Sequence, residues 1–232
     1  MPRGDYQIGH TIVIRGGVRR ILGCKASLSI IAPLNGQAQP VFRFAAGSGP
    51  FWFMEDDAAR TLVPRRLAIN FQAADAFHGS GPGTVFLEDV VGRGFRFHHE
   101  MVWARQFNPE GTGLHVLNDG GTLWILGLKT EGGGTLLETR NGGRTELLGS
   151  SSYTTDHGKL APMLVVTDSQ ASFSFSEVCY SGDPFAVVVR ETRDGVTRET
   201  TAADPRWAGH LTLLTAGTPV HIPIRSLGAP PE

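Results

Sequence analysis

Cysteine is scarce in this chain: two occur in 232 residues, Cys24 and Cys179. Two thiols cannot build a disulfide framework, and no cysteine pair has the spacing of a zinc site. Charge of one sign is lacking too, since 21 Lys and Arg against 22 Asp and Glu leave a net −1. That balance excludes a basic field for nucleic acid. The Lys and Arg residues are scattered, with no polybasic tract for a membrane surface. No run approaches 18 continuous apolar residues, so no membrane-spanning helix is predicted. The start, MPRGDYQIGHTIVIRG, carries no secretory leader pattern. No long stretch keeps a helical period. A Gly-x-Ser-x-Gly elbow and a Gly-x-x-x-x-Gly-Lys phosphate loop are also missing, which disfavours those enzyme classes.

What the chain does contain is turns and short apolar runs. Thirty Gly, 14 Pro and 41% hydrophobic residues suit a turn-rich β protein with a sizeable core. Three nine-residue strings share one outline: RGGVRRILG from Arg15, DGGTLWILG from Asp119 and NGGRTELLG from Asn141. In each, a further Gly stands six residues after a Gly-Gly pair, and the last two copies start 22 residues apart. A period of that size, made of short strands and tight turns, is the signature of a coiled solenoid.

The repeat assigns positions. Ile21, Ile125 and Leu147 form a column that should point inward and stack from coil to coil. The preceding column, Arg20, Trp124 and Glu146, should face out. Arg15, Asp119 and Asn141, extended by Asp168 and Asp194, form a turn column, because Asp and Asn tolerate the positive φ of a tight corner. Coils rise by about 4.8 Å each. Cys24 and Cys179 are several coils apart, well beyond the ~7 Å Cα limit of a disulfide, and are expected as buried free thiols.

Strands are predicted at 11–14, 18–22, 41–44, 51–54, 67–71, 84–87, 95–97 and 102–107, through 114–148, and at 163–166, 173–175, 185–189, 196–200, 210–214 and 220–224. Segments 33–40, 72–83 and 150–159 read as loops projecting from the side of the stack. The expected organisation is one all-β domain over 1–225, a right-handed parallel β-helix with side loops, and a flexible tail over 226–232. No capping element is visible before Ile12, so the chain is expected to lack N-terminal coils and cap and to expose the end of its core.

The strings GPGTVFLEDVVG, WARQFNPEGTG and GGTLWILGLKTEG carry a resemblance. With them the chain resembles the pectate-lyase-like superfamily of right-handed parallel β-helix proteins, including its glycoside-hydrolase-related members, over most of residues 10–200. The resemblance implies a carbohydrate partner, polysaccharide or oligosaccharide, and an extracellular or periplasmic site of action. Relatives with a complete helix carry an upstream Gly-Asp-Gly strand start and a cap. Neither is present here, so the chain looks like a C-terminal half, and no catalytic residue is transferred from the missing part.

Polysaccharide-cleaving β-helices need acidic groups on one outward face: paired carboxylates for hydrolysis, or a base with a carboxylate-held Ca²⁺ for β-elimination. Glu55, Asp56 and Asp57 follow one strand; Glu88 and Asp89 follow another. Were the two strands equivalent in successive coils, Glu55, Asp57, Glu88 and Asp89 would be the acid/base candidates, with repulsion raising one pKa. The competing role for such acids is to solvate turns. His98, His99 and Glu100 do not have a useful metal-ligand spacing, and His78 beside the Gly-rich turn is weak. No metal site is assigned and no cofactor is required, Ca²⁺ entering only with a lyase. Trp124, with Trp52 and Trp103, would offer flat faces to sugar rings unless a loop or second subunit covers them. Arg105, Arg140 and Arg144 would pair with acidic sugars, or be unpartnered surface charge.

Three functions remain open from sequence. The first is a β-helix that cleaves polysaccharide. The second is a non-enzymatic binding or structural β-helix, part of a larger protein. The third is a trimeric, fibre-like adhesin with Trp52 and Trp124 at its interface.

Overall fold

The computed structural model describes residues 1–8, 12–13, 18–30, 42–43, 54–56, 59, 61–69, 75–179, 181–203, 212–216 and 222. These residues form strands and turns, with no helix among them. In chain order the strands are β1 (Gly4–Ile8), β2 (Ile12–Val13), β3 (Arg20–Ile30), β4 (Phe42–Arg43), β5 (Met54–Asp56), β6 (Val63–Ile69), β7 (Phe77–Gly79), β8 (Thr84–Arg93), β9 (Phe95–His98), β10 (Met101–Glu110), β11 (Leu114–Asp119), β12 (Thr122–Glu131), β13 (Thr135–Arg140), β14 (Arg144–Thr154), β15 (Leu164–Thr167), β16 (Gln170–Phe175), β17 (Glu177–Cys179), β18 (Val187–Arg193), β19 (Val196–Thr201) and β20 (Thr212–Ala216).

They stack into a parallel β-solenoid of about 6 turns. The first sheet runs β1-β3-β6-β8-β10-β12-β14-β16-β20, with β17 beside β14, and the second runs β19-β18-β15-β13-β11-β9-β7-β5-β4-β2. Each coil contributes one long strand to the first sheet and one short strand to the second. Pairing is parallel throughout except at the last strands, where β20 lies antiparallel to β16 and β19 antiparallel to β18.

A bend divides β6, β8, β10, β12 and β14 of the first sheet, and its cause is visible in the backbone. Arg66, Asp89, Gln106, Gly127 and Gly149 all have positive φ, from 48° to 77°. In register they occupy one corner of successive coils. Alternation along β10 is interrupted there: Ala104 is buried, Arg105 and Gln106 are both exposed, and Phe107 is buried again. The extra residue in the bend resets the phase, so apolar side chains point inward on both sides of the corner.

The core is built from stacked columns. Leu87, Ala104, Ile125, Leu147 and Phe173 stand in register and all are buried. Ile21 joins the same core, so the predicted inward column Ile21, Ile125 and Leu147 is found inside. Phe95, Phe97, Phe107, Phe173 and Phe175 fill much of the remaining volume. Some inward positions are polar, Asn118 among them. The Asn118 amide donates to the carbonyls of Gly121 and Arg144 and to the Thr145 hydroxyl, while its oxygen accepts from the Gly121 N–H. It ties the corner of one coil to the start of the next.

Several expectations are corrected. Cys24 and Cys179 are free but exposed: Cys24 lies at an outward position of β3, while Cys179, in register with the inward Thr154, ends β17, which among the described strands pairs with β14 alone. The predicted loop at 150–159 starts late: β14 continues to Thr154, held by β17, because the Gly149 corner allows Ser152 and Thr154 to turn inward. The left-handed corner residues in register are His99, Gly120, Asn141 and Asp168, while Asp194 is left-handed in the hairpin turn between β18 and β19. Asp119 pairs with Arg140 as the last residue of a strand, one place before its corner. A strand also precedes Ile12: β1 pairs with β3, and the Met1 ammonium donates to the Leu22 carbonyl. Arg15 and the tail at 226–232 lie outside the described residues.

Candidate functional site

Glu55 and Glu88 stand on different sheets. Glu55 sits on β5 in the second sheet, in register with His78. Glu88 sits on β8 in the first sheet, between Arg65 and Arg105. Their strands are not equivalent, which removes the premise that brought the carboxylates together. The Glu88 carboxylate is 2.7 Å from the Arg65 guanidinium. Asp89 occupies the left-handed corner with φ 53° and is exposed. Asp57 lies outside the described residues.

The aromatic platform is also closed. Phe86, Trp103, Trp124 and Glu146 form a column on the outward face of the first sheet, as the repeat predicted. Trp124 is nevertheless 1% exposed and Trp103 5%. Ile222 packs on both, with Phe86 and Leu148 beside them, and its N–H donates to Glu146 Oε2 at 2.7 Å. The ring faces are occupied as well. Phe86 and Trp103 stack at 5.6 Å, and the Arg105 guanidinium lies 5.8 Å from the Trp124 ring centre. Trp124 therefore offers no open face to a sugar. Trp52 lies outside the described residues.

The three arginines are dispersed. Arg105 and Arg144 are exposed on the first sheet. Arg140 ends β13 in the second sheet and binds Asp119 at 2.8 Å and Glu138 at 3.5 Å.

Two clusters that sequence reasoning did not name are assembled instead. The first follows the bend of the first sheet. Glu110 ends β10 and Glu131 ends β12, on successive coils, and both accept hydrogen bonds from the Lys129 ammonium. The Tyr153 hydroxyl donates to Glu131, and the Lys129 ammonium lies 5.3 Å from the Tyr153 ring centre. Burial alone would lower the Lys129 pKa, but the bonds to Glu110 and Glu131 raise it above the usual lysine range. The bonds from Lys129 and Tyr153 lower Glu131, and the Glu131 bond raises Tyr153. The signal was present in the sequence: MVWARQFNPE and TLWILGLKTE align end to end, each closing on Glu.

The second cluster lies on the outer face of the second sheet. Asp119 accepts from Arg140 and, at 2.6 Å, from the Asn141 amide, with His98 Nδ1 3.3 Å away. Burial pushes Asp119 up, and these bonds more than reverse it. The ring of His98 meets that of His78 edge-on at 4.9 Å. Burial, then the neighbouring His98 and Arg96, lower the His78 pKa to about 4. Arg96 pairs with Asp75 at 2.7 Å and caps the carbonyls of Leu114 and His115. His99 stands at the exposed left-handed corner, while Glu100 is buried with its carboxylate against Gly79. Among the described residues no group of three or more His, Cys, Asp or Glu side chains is placed to hold a metal ion.

Chemically, both clusters are charge locks. A hydrolase pair needs one carboxyl that keeps its proton. Glu110 and Glu131 share an ammonium, which favours the ionised form of Glu131. Tyr153 is a donor with a raised pKa, the opposite of a poised base.

Compared with known proteins, the chain matches no family model, no curated protein and no solved structure. Among the described residues no helix is long and apolar enough to cross a membrane.

Proposed function

We propose that this chain is a non-enzymatic β-helix module that holds a polysaccharide along its outer faces rather than cutting it. The observation that carries the non-enzymatic part is the Glu110–Lys129–Glu131 bridge. It places two carboxylates on successive coils but holds both against one ammonium, so neither is left as a free acid or base. The separation of Glu55 from Glu88 on different sheets supports the same part. The carbohydrate partner rests on the resemblance of the three β-helix strings, an argument by analogy.

Purified protein incubated with neutral and acidic polysaccharides, with and without Ca²⁺, tests both parts. The expected outcome is intact polymer by mass, together with retarded migration of the protein in a gel containing at least one of them. Fragments carrying added water would establish a hydrolase, and unsaturated fragments a lyase; either would overturn the proposal. Free migration in every gel would remove the carbohydrate and leave a structural role.

A further inference from the structure

The interior is apolar along most of the stack, but it changes character beneath the second half of the first sheet. Thr130, Ser152 and Glu177 follow one another in register on β12, β14 and β17. All three are buried, Glu177 at 9% exposure, Ser152 at 1% and Thr130 at 0%. Thr154, two residues beyond Ser152 on the same inward side, is also at 0%. The Thr130 hydroxyl is satisfied by His115 Nδ1 at 2.9 Å. Ser152 Oγ, Thr154 Oγ1 and Glu177 Oε1 are buried without any hydrogen-bond partner.

A buried polar atom without a partner costs on the order of 1–3 kcal/mol, more for a charged one. Three such atoms on two paired strands need a common explanation, and a bound species is the usual one. An ionised Glu177 oxygen can only accept, and the two hydroxyls can turn their lone pairs the same way, so one electropositive species satisfies all three. The site contains one carboxylate. His115, the titratable group on its far side, is held toward the neutral form by burial. Neutrality in a poorly solvated interior then favours a single positive charge. A divalent ion would leave uncompensated charge and would demand more oxygen ligands.

We infer that Ser152, Thr154 and Glu177 line an internal binding site for a monovalent alkali cation, Na⁺ or K⁺. In its absence burial raises the Glu177 pKa and favours the protonated carboxyl; the cation binds the ionised form.

The test is thermal unfolding of the full chain at constant ionic strength in NaCl, KCl or choline chloride, whose cation is too large to enter. The unfolding midpoint is expected to rise in Na⁺ or K⁺ along a saturating curve. The rise should be about 3–5 °C at ten times the dissociation constant. Glu177→Gln, which keeps the shape and removes the charge, should abolish the rise. Thr154→Val should weaken it, and serves if Glu177→Gln does not fold. Equal midpoints in all three salts would overturn the inference in favour of buried water. A rise that never saturates, that persists in both variants, or that appears only with Ca²⁺ or Mg²⁺ would overturn it as well.

Discussion

His78 sits where three influences act in one direction. Its ring is partly buried on the outer face of the second sheet, and His98 and Arg96 stand beside it, so its folded pKa falls to about 4 against 6.5 unperturbed. A histidine whose pKa is lowered by folding binds fewer protons folded than unfolded. Stability must therefore fall as pH drops from about 6.5 to about 4, and this contribution is fully lost below that. His115, lowered by its burial, acts in the same sense, while Asp75 and Glu177, raised by theirs, oppose it at the acid end. Urea midpoints measured from pH 7.5 to pH 4 should accordingly fall less in His78→Gln than in the parent chain. Parallel slopes for the two proteins would show that His78 does not carry the effect. None of this was readable from sequence, where His78 was a histidine beside a Gly-rich turn. Its neighbours, His98 and Arg96, come from the next coil.

At the scale of the element, corners decide what the strands can do. Gly127 and Gly134 flank the second half of β12 and look alike in sequence. Both have positive φ, 74° and 98°. Their surroundings differ. A Cβ at Gly127 would meet nothing nearer than the Gln106 nitrogen at 4.0 Å, whereas one at Gly134 would lie 2.2 Å from the carbonyl oxygen of Gly113 in the coil below. Gly127→Ala should thus cost only left-handed strain, about 1–2 kcal/mol. Gly134→Ala must also force two coils apart and should cost upwards of about 3 kcal/mol. Chemical denaturation of the two variants measures the difference, and equal losses would refute the close coil-to-coil approach at the Gly-rich turn. The same corner where Gly127 stands is occupied by Arg66, Asp89 and Gln106 in earlier coils. The stack imposes a left-handed conformation on residues that disfavour it, which explains why the repeat is legible only where Gly is used.

For the whole molecule, a long-range contact joins Ile222 to Glu146 and the tryptophans, with the hydrogen-bonded pair 76 residues apart. It converts an outward aromatic column into a second apolar cluster. Ile222→Asp would place a charge in that cluster beside Glu146. We expect a red shift of tryptophan emission and a loss of about 2–3 kcal/mol, the burial of one large aliphatic side chain. Unchanged emission would mean that something other than Ile222 keeps Trp124 dry. At the last coil, the exposed strand β19 carries Arg198 and Glu199, the latter paired with Arg190. Charges on an edge strand discourage pairing with another chain.

The sequence by itself determined the solenoid, its period and its inward column. Those follow from local rules: Gly at corners, alternation along strands, and a repeat whose identical positions must stack. It also specified that Trp124 faces away from the core, because side-chain direction is set by strand parity. Only the tertiary structure decided what lies across from each outward residue. A one-residue difference in coil length on the second sheet pairs Asp119 with Arg140 rather than Asn141, and the assignment of β5 and β8 to different sheets parts Glu55 from Glu88. The return of Ile222 buries Trp124. Such pairings depend on the register between distant segments, summed over every intervening turn, and no local pattern encodes that sum.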